Sequence, residues 1–331
     1  ISSIILELQA SNSTDADLLS QLLATQASLN SLEGDLANTT SELITKINNA
    51  NDTVNWAYMD LGSASLLSAI LTGANLTGAN LSGADLTGAN LFGANLYDAN
   101  LIGANLQNAD LANADLRYTS LRNADLSGAN LGSAYLDYAY LSGADLTGAN
   151  LSGADLEDAN LSGAYLIGAN LYDADLSSTD LNEANLFGAH LTDADLQYAS
   201  LVNAYLQNAD LTNANLFGAN LIGAFLYDAD LAYADLRFTY LRNADLSGAN
   251  LSGSFLEFAN LTYADLVGAD LTNAGLENTD LNGANLMDAN LSGAFLLDTN
   301  LTNVFWLHTI CPDGTNADDN GNTCEDNLSL T

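Results

Sequence analysis

Residues 71–81 read Leu-Thr-Gly-Ala-Asn-Leu-Thr-Gly-Ala-Asn-Leu, and the same five-residue beat runs from Leu61 to Leu301 without a slip. Leucine at every fifth place over that span, (301 − 61)/5 + 1, makes 49 consecutive units. Alanine stands two residues before nearly every leucine; the exceptions at the alanine site include Thr119, Thr179, Thr239, Ser254, Thr279, Thr299 and, before Trp306, the terminal Val304. A period of five fits neither the 3.6-residue turn of an α-helix nor the two-residue alternation of a strand. It suits a chain that turns a corner in every unit and stacks small layers, with leucine and its small neighbour filling a narrow interior.

These A-[DN]-L-x-x units resemble the pentapeptide-repeat family, and the match covers roughly three quarters of the chain. The resemblance implies an all-β solenoid, a right-handed quadrilateral β-helix with one unit per side and four per coil. Forty-nine units then make about twelve coils, a rod of roughly 58 Å at the usual strand spacing of ~4.8 Å. The expected organisation is an N-terminal apolar segment and helix over 1–58, the repeat rod over 59–306 and a tail over 307–331.

Outside the repeat the pattern changes. Ser2, Ile4, Leu6 and Leu8 read either as a strand that adds to an exposed sheet edge or as an extension of the following helix. From Asp15 to about Val54 the spacing is helical, with a seam through Leu22, Leu29 and Leu36 that is weakened by Thr25, Thr39, Lys46 and Gly34. An oligomerisation helix is the sharper expectation; a helix that covers the first coil is the plainer one. Trp56, Tyr58 and Met59 are suited to plug the first layer, and Val304, Phe305, Trp306 and Leu307 to seal the last.

The 41 acidic residues against five basic ones give a formal net charge of −36, which repels nucleic acid and anionic membrane and favours cations or a basic partner. No run of apolar residues is long enough to span a membrane. The chain opens at Ile1 with no basic leader region, as a processed mature form would. Two histidines, His190 and His308, have no nucleophile at a useful spacing, so no enzyme and no cofactor are expected.

A longer period lies within the short one. Arg117–Asn130 (RYTSLRNADLSGAN) recurs as Arg237–Asn250 (RFTYLRNADLSGAN), 120 residues on, or six coils of 20. On the side carrying Leu116 and Leu236, the outward residues include Tyr118, Tyr135 and Tyr138, then Phe238, Phe255 and Phe258, with Tyr140 and Tyr240 at the next corner. Two aromatic clusters about 29 Å apart on one side suit a contact surface; stacking along a β ladder is the alternative. Arg117, Arg122, Arg237 and Arg242 fall in the same blocks, to pair with Asp columns or with the acidic side of another rod.

In the tail, Cys311 and Cys324 close a Gly/Asn/Asp loop as a disulfide, which implies an oxidising, extracellular or cell-surface setting. The segment also looks like a tail found on cyanobacterial and other bacterial members of the family. Asn316, Asp318 and Asn320 match part of a calcium loop, but the first ligand is Asn and the bidentate Glu is missing, so a turn that needs no metal comes first. N-x-[ST] sites at Asn12, Asn38 and Asn51 are glycan acceptors that the repeat does not force, unlike Asn75. The leading expectation is an extracellular structural rod that self-associates, as a filament or surface layer, through its N-terminal segment and aromatic patches. The family resemblance implies an alternative, an acidic DNA mimic that engages DNA gyrase; a third reading is a passive spacer.

Overall fold

The computed structural model describes residues 54–321 and 323–324. The expected seam of Leu22, Leu29 and Leu36 and the opening with Ile4 and Leu8 lie outside these residues, as do the sequons at Asn12, Asn38 and Asn51. The chain divides into Ile1–Asn51 and Asp52–Thr331, and the second unit carries the repeat.

Every fifth residue from Asn55 to Asn290 pairs in parallel with the residue 20 positions later. The coil therefore holds 20 residues and four sides, and the ladder climbs from Asn55 to Ile310, almost thirteen coils. We number the sides by their leucines: side 1 carries Leu61, side 2 Leu66, side 3 Leu71 and side 4 Leu76, each series repeating every 20 residues. From Leu66 to Leu291 every repeat leucine is at most 1% exposed, and from Ala69 on the alanines two residues earlier are equally buried. Each such leucine contributes on the order of 1.5–3 kcal/mol.

The backbone accounts for the rest of the motif. In the unit Ala74–Gly78, Ala74 N–H donates to Leu71 O (2.9 Å), closing a turn, while Asn75 N–H reaches Val54 O in the coil before (2.8 Å). Leu76 and Gly78 donate to Asn95 O and Tyr97 O in the coil after (2.7 and 2.8 Å). The remaining amide, that of Thr77 at the first corner, donates to the side-chain Oδ1 of Asn75 (3.2 Å). This is why the motif asks for Asp or Asn: a short side-chain acceptor closes the one amide that the ladder leaves open. The second corner has positive φ, +62° at Gly78, and glycine or asparagine takes that conformation at low cost.

The carboxamides also stack. Asn130 donates to Asp110, Asn150 to Asn130 and Asn170 to Asn150, at 2.9, 2.9 and 3.0 Å. Where threonine or serine replaces the buried alanine, its hydroxyl is satisfied by a leucine carbonyl. Thr119 donates to Leu96 O and Thr179 to Leu156 O in the preceding coil (both 2.9 Å), and Ser254 to Leu251 O of its own turn (2.7 Å). A buried hydroxyl without such a partner would be costly.

The ends differ from expectation. Trp56 takes a leucine position and is half-buried, but Tyr58 is 78% exposed and Met59 45%, so neither plugs the first layer. Tyr58 is a second-corner residue, φ +58°, so its side chain projects outward, over the face of Gly78, where no Cβ obstructs it. At the other end Trp306 turns inward and is buried, and Val304 in the alanine position is half-buried, but Phe305 and Leu307 are 63% and 43% exposed. The ladder passes the expected boundary at 306: Thr309 and Cys311 occupy the alanine and leucine positions, both fully buried. The tail then folds back, with an antiparallel bridge from Ile310 to Asn316 and a bond from Ala317 N–H to Thr309 O (2.9 Å). A disulfide joins Cys311 to Cys324, Cα atoms 5.3 Å apart, and both cysteines are buried.

Asn150→Ala removes the acceptor for Ser152 N–H (3.2 Å) together with two rungs of the amide stack. A loss of about 1–2 kcal/mol in denaturant unfolding is expected, with an unchanged circular dichroism spectrum. An unaltered midpoint would refute side-chain closure of the corner.

Candidate functional site

The outward positions are not shared evenly among the sides. Of the 14 tyrosines and nine phenylalanines, eleven lie on side 4: Tyr58, Tyr97, Tyr118, Tyr135, Tyr138, Tyr198, Phe217, Phe238, Phe255, Phe258 and Phe295. Side 4 also bears twelve carboxylates, from Asp98 to Asp298, against two arginines. It alone among the described residues carries acids at the first corner of a repeat unit: Asp137, Glu157, Glu257 and Glu277.

Its second corners are unusual in backbone terms. Eight tyrosines and phenylalanines in the described chain have positive φ, and six of them, Tyr58, Tyr118, Tyr138, Tyr198, Phe238 and Phe258, form one column on side 4. Bulky L-residues seldom adopt this conformation.

These rings build two stacks. Tyr97 meets Tyr118 at 5.4 Å, and Tyr118 lies parallel to Tyr138 at 5.1 Å and 5°. Six coils on, Tyr198 meets Phe217 at 5.8 Å, Phe217 meets Phe238 at 5.2 Å, and Phe238 lies parallel to Phe258 at 4.9 Å and 6°. Tyr135 and Phe255 stand in the neighbouring column, about half exposed, and join no stacked pair. The sequence expectation thus named Tyr118, Tyr138, Phe238 and Phe258 but missed Tyr97, Tyr198 and Phe217.

Three of the four arginines are held in place. Arg117 grips Asp115 through two bonds (2.8 and 2.7 Å) with its guanidinium 5.8 Å from the Tyr97 ring centroid. Arg237 repeats this with Asp235 and Phe217, 5.7 Å away, and Arg122 lies 4.7 Å over Tyr140 on side 1. The hydrogen bond from Arg117 holds the Asp115 carboxyl below its usual range. Partial burial, with the Asp155 charge beside it, pushes Asp137 up; burial and the charge of Asp175 do the same to Glu157. Side 4 therefore holds carboxylates that repel one another.

The other named residues do not converge on chemistry. Asn316 caps a short turn by accepting from Asp318 N–H (2.9 Å), and Asp318 accepts from His308 N–H (2.9 Å), so their acceptor oxygens serve the fold of the tail. Asn320 ends the same turn. His308 faces Asp288 at 3.1 Å, and His190 stands exposed in a pairing position on side 3. Among the described residues no group of three or more His, Cys, Asp or Glu is placed to hold a metal, and no helix is long and apolar enough to cross a membrane. A hollow of about 610 Å³ on side 2, lined by Tyr165, Asn185, Tyr205 and Phe225, has a single carboxylate, Glu183.

A family model described as pentapeptide repeats (8 copies) matches the chain in overlapping segments from residue 60 to residue 305. The chain belongs to the pentapeptide-repeat family. Its coil of 20 residues is the right-handed quadrilateral β-helix of that family. Among solved structures it is similar to HetL, a pentapeptide repeat protein involved in heterocyst differentiation regulation in the cyanobacterium Nostoc sp. strain PCC 7120. The identity is 38%, over 65% of this chain and 90% of that one, with a TM-score of 0.38. It is also similar to QnrB1, a plasmid-mediated fluoroquinolone resistance protein, at 21% identity over 50% of this chain and 87% of that one, TM-score 0.29. A pentapeptide repeat protein of the Arabidopsis thaliana thylakoid lumen is 35% identical over 34% of this chain and 68% of that one, TM-score 0.21. No curated protein matches the chain.

Because the folded pKa of Asp137 is raised, its ionised form weakens the fold at neutral pH, and the cost is relieved as pH falls through that raised value. Asp115 has the opposite sign: its contribution is present above the unfolded pKa of about 3.9 and is lost as pH falls through the lowered folded value. Asp137→Asn is expected to raise the thermal midpoint at pH 7 and to leave it unchanged near pH 3, whereas Asp115→Asn lowers it at pH 7. Melting curves across this range test both signs.

Proposed function

We propose that the protein is a non-enzymatic binding rod whose working surface is side 4 and whose partner is a basic protein. The column of six aromatic residues at positive φ carries this reading. Each costs about 1–2 kcal/mol that glycine would avoid, and stacking returns only about 0.5–1.5 kcal/mol per pair. The coil does not need them, since glycine or asparagine fills the second corner along most of the other sides. Strained positions that are clustered, exposed and aromatic support a contact surface.

Charge bears on the kind of partner. Twelve carboxylates on side 4 face two arginines, both already held by Asp115 and Asp235. A second copy presenting the same side would be repelled, so self-association through the aromatic patches gives way to a basic partner. The gyrase reading shares this charge logic. The Cys311–Cys324 disulfide supports an oxidising compartment instead, and so ranks a cytoplasmic target second.

The test is a variant with Tyr118, Tyr138, Phe238 and Phe258 all changed to Asn, a residue suited to positive φ. It is expected to fold with stability within about 2 kcal/mol of the parent and to lose the proteins that the parent captures from a bacterial extract at moderate salt. Unchanged capture by the variant would refute side 4 as the working surface. Light scattering of the parent alone separates the assembly reading: a concentration-dependent rise in mass would favour self-association.

A further inference from the structure

In the pairing column of side 4, Phe255, Gly275 and Phe295 occupy three successive coils. Aromatic residues one coil apart in such a column stack: on side 2, Tyr205 and Phe225 lie 5.1 Å apart at 10°. Phe255 and Phe295, two coils apart, therefore leave one rung without a ring, with about 9.6 Å between coils at the usual spacing. Gly275 is buried at the floor of that gap, where a Cβ would approach Glu257 Oε1 to 2.7 Å and Glu277 Oε2 to 3.4 Å. The result is a cavity of about 250 Å³ lined by Phe255, Glu257, Gly275, Glu277 and Phe295 among others. The Oε2 atoms of both Glu257 and Glu277 are buried and have no hydrogen-bond partner.

A missing ring leaves room for something flat, and two carboxylates ask for something cationic. We propose that this slot receives the guanidinium of an arginine side chain from the basic partner, stacked between Phe255 and Phe295 and hydrogen-bonded by Glu257 and Glu277. The planar fork of donors suits paired carboxylates, and the two ring faces suit a flat, weakly hydrated cation. A lysine ammonium would meet the charge without filling the slot. The site belongs to the second block alone: 120 residues earlier the column reads Tyr135, Asp155, Asp175, with no gap bounded by two rings. Of the chain's own arginines, those at 117 and 237 are held by Asp115 and Asp235 and Arg122 lies over Tyr140, while Arg242 is exposed on side 1; with three of the four engaged, a separate protein is favoured as the source.

This inference rests on side 4 as the binding surface and adds the chemistry of one contact. The test titrates the full chain with acetyl-Gly-Arg-Gly-amide and with the same peptide carrying citrulline or lysine, followed by calorimetry or ligand-observed NMR. The arginine peptide is expected to bind at least tenfold more tightly than either comparator. Gly275→Tyr, which places a ring where neighbouring coils already carry one, and the isosteric Glu277→Gln are each expected to weaken it at least tenfold, while Asp155→Asn in the first block leaves it unchanged. Equal binding of the citrulline peptide, or full binding by Gly275→Tyr, would overturn the slot. Parent oligomers that Gly275→Tyr dissolves would overturn the separate-partner assignment by placing a second copy in it. Failure here with capture still lost in the four-Asn variant would sink the slot alone; capture retained by that variant would sink the surface itself.

Discussion

The structure depends on one backbone amide. Four of the five N–H groups in a repeat unit find carbonyls in the same turn or in an adjacent coil, and the first-corner amide does not. Asp or Asn two residues earlier supplies the acceptor, as Asp125 does for Ser127 (2.9 Å) and Asp145 for Thr147 (2.9 Å). A square coil with a dry interior has little to spare for an open amide repeated on every side, so this closure sets the composition of the chain. Asp and Asn close the corner equally well, so the repeat needs the acceptor and is indifferent to its charge. How the carboxylates are distributed is therefore free to serve another purpose.

That freedom separates scaffold from surface. Replacing the acceptor with an aromatic ring, as at Tyr135, Phe255 and Phe295, forfeits the closing bond. Placing a ring at the second corner forces it to positive φ. Both departures work against the coil; rings at the acceptor position are shared with side 2 (Tyr165, Tyr205, Phe225 and Phe305) and side 1 (Tyr140 and Tyr240), but rings at the second corner concentrate on the side that also gathers acids at the first corner. Folding economy explains the leucines, alanines and most of the Asp/Asn positions. It does not explain side 4.

Period and register made most of this legible from the residues alone. Five-residue spacing assigned the inward leucines and alanines, and the 120-residue recurrence put the two blocks on one side. Reading by columns of 20 also put Tyr118 with Tyr138 and Phe238 with Phe258 on one side, with stacking along the ladder as the alternative to a contact surface. It missed Tyr97 and Phe217 because their contacts are diagonal: Tyr97 reaches Tyr118, and Phe217 reaches Phe238, 21 residues on, from a first corner to the second corner of the next coil. Hydropathy likewise misjudged Tyr58 and Phe305, since at the ends of a rod the position in the unit decides whether a side chain faces in, and neither occupies an inward place. The missing ring at Gly275 is visible only when the coils are stacked, because the residues that frame it lie 20 apart.

The two blocks share a plan but not a chemistry. Tyr97, Tyr118, Tyr135 and Tyr138 become Phe217, Phe238, Phe255 and Phe258 six coils later, each losing its hydroxyl. In the first block the Asp158 carboxylate pushes the Tyr138 phenol above its usual range, so that stack is coupled to its own acidic neighbours. In the second, Phe258 has no hydroxyl and the equivalent of Asp158 is Asn278. Asp137 lengthens to Glu257, whose extra methylene carries its carboxylate over Gly275, while Asp155 gives way to that glycine. These changes move polarity from internal pairing towards a pair of carboxylates whose buried Oε2 atoms lack partners, between apolar walls. A structural duplication has no need of such differences; a surface on which one copy stiffens the rod and the other makes the contact does.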